Sequence, residues 1–145
     1  LVTPTGFGNP RRMTNGIDVN RVLLLIAVLE KRARMNLSNS DIYVNVAGGL
    51  RIDETAVDLG ICAAIATSQA DIPLPPDMIF IGEVGLGGEL RGVSQLEKRI
   101  NEAAKLGFKS AIVPKQSLRG VKIPDGFAAY GIKTISEMIN MLRRK

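Results

Sequence analysis

The residues best placed to do chemistry lie between Asn45 and Gly60, in the run NVAGGLRIDETAVDLG. A strand-like segment enters two glycines, a charged turn follows, and an apolar helix leaves. Many α/β enzymes keep a phosphate cradle or a nucleophile at such a place. For phosphate, the run lacks both GxxxxGK[ST] and GxGxxG. The other glycine-rich stretch, GEVGLGGELRG at 82–92, leads into a hairpin, so no helix N-terminus follows to hold an anion. Turn glycines are the simpler reading of both. Asp53, Glu54 and Asp58 gather at the helix start, where carboxylates suit the positive end of the dipole. As metal ligands they would need further oxygens that the sequence does not promise.

Nucleophilic chemistry is narrowed by what the chain lacks. It has no His, which removes a Ser-His-Asp triad, a His-activated thiol and His-type zinc sites. The one cysteine, Cys62, sits in an apolar run, so it is expected to be packing rather than a nucleophile. It cannot form a disulfide within the chain, and a reducing compartment fits. A hydroxyl activated by a neutralised lysine needs no His, but spacing alone does not decide whether one exists.

The 145 residues suit one domain with a real core. Aromatics are 4% with no Trp, so the core is expected to be aliphatic and a nucleic-acid surface built on stacking is disfavoured. The net charge of +5 favours acidic partners, nucleic acid first. Surplus Lys and Arg on an ordinary soluble surface is the plainer alternative. The longest apolar run, Val22 to Leu29, is too short to span a bilayer, and no signal peptide is visible. A cytoplasmic location and no membrane partner are expected. Opening on Leu-Val without Met, the chain is expected to be a piece of a longer protein.

The elements that must hold these residues follow from pattern. Residues 1–16, LVTPTGFGNPRRMTNG, read as a short strand and a basic arm, and 17–145 as a single domain. Asp18 caps a helix to about Arg34 whose centre, VLLLIAVL, is apolar on all sides. IYVNVAGG reads as a strand with Ile42, Val44 and Val46 on one face. Three [ST]-x-x-[DE] patterns, Thr55–Asp58, Ser94–Glu97 and Thr134–Glu137, read as capping boxes opening three helices. MIFIGEVGL reads as one strand, turned by Gly87-Gly88 into GELRGV. Gly107 stops the third helix, KSAIVP is a short buried strand, and KQSLRGVKIPDGFAAYGIK is mostly loop with one strand near Ala128. The last helix ends in RRK. The alternation argues an α/β (α+β) domain, a mixed sheet with packed helices.

Three blocks in order, GGLRIDETAVDLGICAAIAT, IGEVGLGGELRGV and EKRINEAAKLGFKSAIVP, resemble the C-terminal domain of the RadA (Sms) family of bacterial DNA-repair proteins. FGNPRRMTNGIDVNRVLLLIAVLEKR extends the resemblance over nearly the whole chain. That domain is in turn similar to the proteolytic domain of Lon, which uses a serine and a lysine. The resemblance therefore implies a Lon-like fold. It puts Lon's serine position on Ala56, with Asp58 replacing a small residue of the same turn. Lon's lysine falls on Glu97, with Lys98 one place along and about 100° around a helix. Both dyad positions are expected to be lost, and Thr55 has no aligned base.

What the resemblance implies about function is a non-catalytic domain of an ATP-driven DNA repair and recombination protein that processes branched intermediates. ATP, Mg2+ and Zn2+ belong to preceding parts of such a protein, a zinc finger and a RecA-like ATPase, and no cofactor is expected here. Expected partners are further copies of the chain in a hexameric ring, single-stranded or branched DNA, and a RecA-type recombinase. Arg11 and Arg12 on the arm, Arg91 at the hairpin, and Lys98, Arg99 and Lys105 on the third helix are the candidate DNA contacts; Lys98 and Lys105 are seven apart and share a face. Asn45, Glu83 and Arg99 could instead form buried or interface polar pairs. Two alternatives stand: a Lon-like peptidase with displaced residues, and a scaffold that never touches DNA.

Overall fold

A computed structural model describes residues 1–144. Lys145, the last cation of the RRK tail, lies outside the described residues. The described residues form two three-stranded sheets, a small hairpin and four helices, an α/β arrangement as the alternation predicts.

The first sheet is β1 (Val2–Pro4), β3 (Ser40–Asn45) and β2 (Arg12–Asn15), in that order. β1 runs antiparallel to β3, and β2 parallel to it. The parallel pair needs a crossover, which α1 (Val19–Arg32) supplies. Asp18 caps α1 by accepting from the Asn20 N–H at 3.2 Å. The helix buries Val22, Leu25, Ile26, Val28 and Leu29 but leaves Val19 and Leu23 exposed, so its apolar girdle is not fully covered as the sequence predicts. It ends two residues earlier than expected, because Arg34 turns into the left-handed region at φ 56°.

The second sheet is fully parallel: β4 (Met78–Phe80), β7 (Ser110–Pro114) and β8 (Ala128–Ile132). Between β4 and β7 lie the hairpin β5 (Glu83–Val84) with β6 (Leu90–Arg91), and then α3 (Leu96–Lys105). The single strand expected over 78–86 is thus two. The Ile81 N–H still donates to Ile112 O of β7 at 3.0 Å, and the backbone leaves the sheet at Gly82. The Gly82 N–H donates to Ala56 O at 2.9 Å and its carbonyl accepts from Leu59 N at 3.0 Å, stitching the break to the start of α2 (Asp58–Ala70). A ladder that spends its groups on a neighbouring helix start cannot continue as sheet.

Of the three expected capping boxes only one half of one forms, since Glu137 Oε2 accepts from Lys133 N rather than from Thr134 N. Thr134 Oγ1 accepts from Glu137 N at 3.3 Å and opens α4 (Ile135–Arg143). At 55–57 the chain makes a single 3₁₀ turn, and Val57 precedes α2 without a side-chain cap. At α3 the residue before the helix is Gln95, held left-handed at φ 57°. That is a conformation glycine adopts without cost and that a side chain strains. Gly107, at φ 97°, ends α3 with Phe108 N donating back to Ala103 O at 3.0 Å, as predicted.

Two apolar clusters fill the interior. The larger joins α1, α2 and α4 to the inner faces of the sheets. The smaller packs Ala56, Ile81, Leu96, Ile100, Ala103, Ala111, Val113 and Phe127 beneath α3. The 3₁₀ turn that leads into α2 places Ala56 in the smaller cluster, while α2 itself feeds the larger. Its buried residues lie all round the helix, which is why its sequence is apolar throughout.

Candidate functional site

Gly16 sets the frame of the site from one side. It sits at φ +85°, where a Cβ would come within 2.3 Å of Leu50 O, and its own carbonyl accepts from Ile52 N at 2.8 Å. This presses the 46–52 loop against the turn into α1. Loop, turn and α2 start enclose a small cavity of about 240 Å³, lined in part by Asp18, Arg21, Arg51, Glu54, Thr55 and Asp58.

Asp58 is the centre of this place, in a role that the sequence pattern does not reveal. Its side chain is 0% exposed. It accepts from Arg21 Nε at 2.9 Å, from Arg21 Nη2, and from the Val84 N–H at 3.1 Å. The carboxylate therefore ties α1, α2 and β5 together instead of capping a helix. Its hydrogen bond holds the Arg21 guanidinium above its ordinary range, so that partner stays charged. A lone arginine in the first turn of an apolar helix, with a lone aspartate opening another, is the available signal. Cys62, one turn along α2, is fully buried, and burial foremost pushes its thiol far above the ordinary range.

The two positions that carry Lon's dyad in the resemblance are filled otherwise. Ala56 is 7% exposed and its methyl packs in the smaller core cluster. Glu97 is exposed, and its Oε1 accepts from Lys122 N at 2.7 Å, fastening the start of α3 to the 121–123 loop. Thr55 is exposed, but its hydroxyl donates to the Glu83 carboxylate at 3.3 Å, and no amine is bonded to it. Lys98 lines a shallow groove of about 580 Å³ on the outer side of α3, with Arg99, Leu106 and Phe108.

The six arginines and lysines expected to meet DNA divide into two groups. Arg12 does not stand on a free arm: it begins β2, and its guanidinium donates to the carbonyls of Ser40 and Leu37. The reason is the parallel pairing of β2 with β3, which brings the arm onto the sheet. Arg99 is likewise engaged, by Glu54 and by Ser94 O, so it joins α3 to the loop before α2. Arg11, Arg91, Lys98 and Lys105 face solvent. Arg91 and Lys105 have only loose partners, Glu89 at 3.7 Å and Glu102 at 3.5 Å, both exposed. Of the pairs read as alternatives, Asn45 accepts from Asn15 Nδ2 at 3.1 Å and Glu83 meets Thr55.

A second basic surface is not visible in the sequence. After β7 a 3₁₀ turn, Lys115–Leu118, reverses the chain across β8. Gln116 Nε2 donates to Leu90 O at 3.0 Å, docking this turn on the β5–β6 hairpin. The result is a groove of about 700 Å³ lined by Leu90, Lys115, Gln116, Leu118, Arg119 and Lys133. All three cations are exposed, and none has an ion-pair partner within 4.0 Å among the described residues. The segment reads as plain loop because Lys133 is 14 residues beyond Arg119 in sequence and joins Lys115 and Arg119 only through the turn and β8.

The sequence model of the family described as Subunit ChlI of Mg-chelatase matches residues 20–117. Among individual proteins, the chain is 51% identical over 140 residues to a DNA repair protein RadA of Streptococcus pyogenes serotype M1, covering 97% of this chain and 31% of that protein. It is 52% identical over 141 residues to the RadA of Halalkalibacterium halodurans, with the same coverage of each. The RadA of Bacillus subtilis is 53% identical over 139 residues, 96% of this chain and 30% of that protein. The chain thus spans about a third of the length of these relatives. No helix among the described residues is long and apolar enough to cross a membrane. By these matches the chain belongs to the ChlI family and is the counterpart of the C-terminal region of the RadA DNA repair proteins.

Proposed function

We propose that this chain is a non-catalytic domain of an ATP-dependent DNA repair protein, serving as an assembly platform and an auxiliary DNA-contact surface. The observation that supports it best is the groove between Lys115, Arg119 and Lys133, three exposed cations without carboxylate partners among the described residues. Phosphates are the groups such a surface neutralises, and each neutralised phosphate releases condensed counterions. Its relatives are named DNA repair proteins, which supplies the polyanion. In a ring of six copies the groove recurs at equivalent points, so weak contacts add along one strand or duplex. Branched intermediates of recombination are the substrate on this reading, and ATP hydrolysis belongs to the rest of the longer protein.

The peptidase alternative meets a specific obstacle. Ala56 offers a methyl where the resemblance needs an attacking oxygen, and the neighbouring Thr55 is bonded to a carboxylate rather than to a neutral amine. Two measurements test the proposal together. Sedimentation of the full chain should give a mass of several copies; a monomer at all concentrations removes the platform. A fluorescent serine-reactive probe should leave the protein unlabelled. Labelling that disappears with Thr55→Val would restore the peptidase.

A further inference from the structure

One aromatic ring stands wholly in water. Phe7 is 100% exposed, at the tip of the loop that joins β1 to β2. The other three phenylalanines, Phe80, Phe108 and Phe127, are buried or half-buried. The tip is open on both sides: it is flanked by Gly6 and Gly8, and a Cβ at either would meet nothing within 4 Å.

The base of this loop is tied down. Asp41 Oδ1 accepts from the Arg11 N–H at 2.8 Å and from the Thr5 hydroxyl at 2.9 Å, closing the two ends of the loop on one carboxylate. Thr5 N donates to Asn39 O at 2.9 Å, and Arg11 O accepts from Ile42 N at 2.9 Å. The ring is therefore carried on an anchored stem. Two cations end the loop: Arg11 is exposed, and Arg12 donates to carbonyls, with the Asp41 carboxylate near both.

We infer that Phe7 is a stacking tip for one unpaired base of a DNA strand, with Arg11 on the adjoining phosphate. A flat ring reachable from both faces suits a base, since every base presents a π-face. The guanidiniums of the same loop suit the backbone that a base always brings with it. In a paired duplex the bases are already stacked and a ring must first unstack them, so the tip favours places where pairing is interrupted, at a single strand or a branch. The low aromatic content argues against a platform of many rings, but a single base needs only one. This inference rests on the DNA-contact reading above and adds to it the residue that engages the unpaired base.

The test uses the full chain and three DNAs: a blunt duplex, a single strand, and a fork with a fluorescent adenine analogue unpaired at its junction. Wild type should quench the analogue on binding. Phe7→Leu should abolish the quench and weaken fork and single-strand binding roughly tenfold, with duplex binding unchanged. Phe7→Trp should keep the quench. Quenching and fork affinity unaltered in Phe7→Leu overturn the inference alone, as does a Phe7→Leu protein whose sedimenting mass falls while its quench persists, which would make the ring a contact between copies. Wild type that binds none of the three DNAs overturns both readings.

Discussion

Replacing Asp58 by alanine removes the acceptor that joins three elements. Arg21 then keeps only a long contact to Val84 O at 3.4 Å, and the Val84 N–H, bonded at 3.1 Å to Asp58, has no partner. Breaking a buried pair from one side costs about 3–5 kcal/mol. Because the Arg21 side chain is 27% exposed and can turn to water, the lower part of that range applies, about 3–4 kcal/mol. For 145 residues at about 2.1 cal/mol/K each, the unfolding entropy is about 0.3 kcal/mol/K, so Tm should fall about 10–13 °C. The assay is thermal and urea unfolding followed by circular dichroism, for Asp58→Ala, Arg21→Met and the double variant. Arg21→Met in the Asp58→Ala background should cost less than about 1 kcal/mol, since its partner is already gone, giving a coupling of about 2 kcal/mol or more. An Asp58→Ala protein within about 1 kcal/mol of wild type, or strictly additive single variants, would refute the role given to this carboxylate.

Further outcomes follow from other contacts. Gly16→Ala places a Cβ 2.3 Å from Leu50 O at a positive φ, and should cost about 2–4 kcal/mol in urea unfolding; a change below about 0.5 would mean that the 46–52 loop moves freely. Thr134→Ala removes the side-chain cap of α4 and should cost about 1 kcal/mol, with Thr134→Ser close to wild type. Asp41 is held below the usual carboxylate range, first by the Arg11 N–H and then by the Thr5 hydroxyl. A depressed folded pKa contributes stability above the unfolded value of about 3.9, and this is lost as pH falls through the folded pKa. Stability of Asp41→Asn should therefore fall less steeply than wild type below about pH 4, and parallel curves would contradict the clamp.

The elements that local chemistry specifies are readable from the sequence. Asp18, Gly107 and Thr134 each terminate or open a helix through groups within a few residues, and each does so in the structure. The errors come where a distant partner displaces the local one. Asp58 fits a capping pattern, yet Arg21 of another helix and Val84 of a hairpin claim its oxygens. Ser94 and Glu97 fit the same pattern, yet Glu97 serves Lys122. The strand at 78–86 has an unbroken β pattern, and only the start of α2 explains why it stops at Phe80. Of the candidate site, the absence of a hydroxyl at Ala56 is legible, as a property of residue type. The basic groove is not, because Lys115, Arg119 and Lys133 meet only after a 3₁₀ turn folds over a hairpin. Arg12 and Arg99 carry the right charge, but carbonyls and Glu54 occupy them.

If the groove of Lys115, Arg119 and Lys133 meets nucleic-acid phosphates, DNA binding by the full chain must depend on salt through those three side chains. Plotted as log affinity against log salt, wild type should show a steep negative slope. The variant Lys115→Ala/Arg119→Ala/Lys133→Ala should flatten it by about 2–2.7, at about 0.7–0.9 for each phosphate that is no longer neutralised. Equal slopes for the two proteins, or wild-type binding indifferent to salt, would contradict the account.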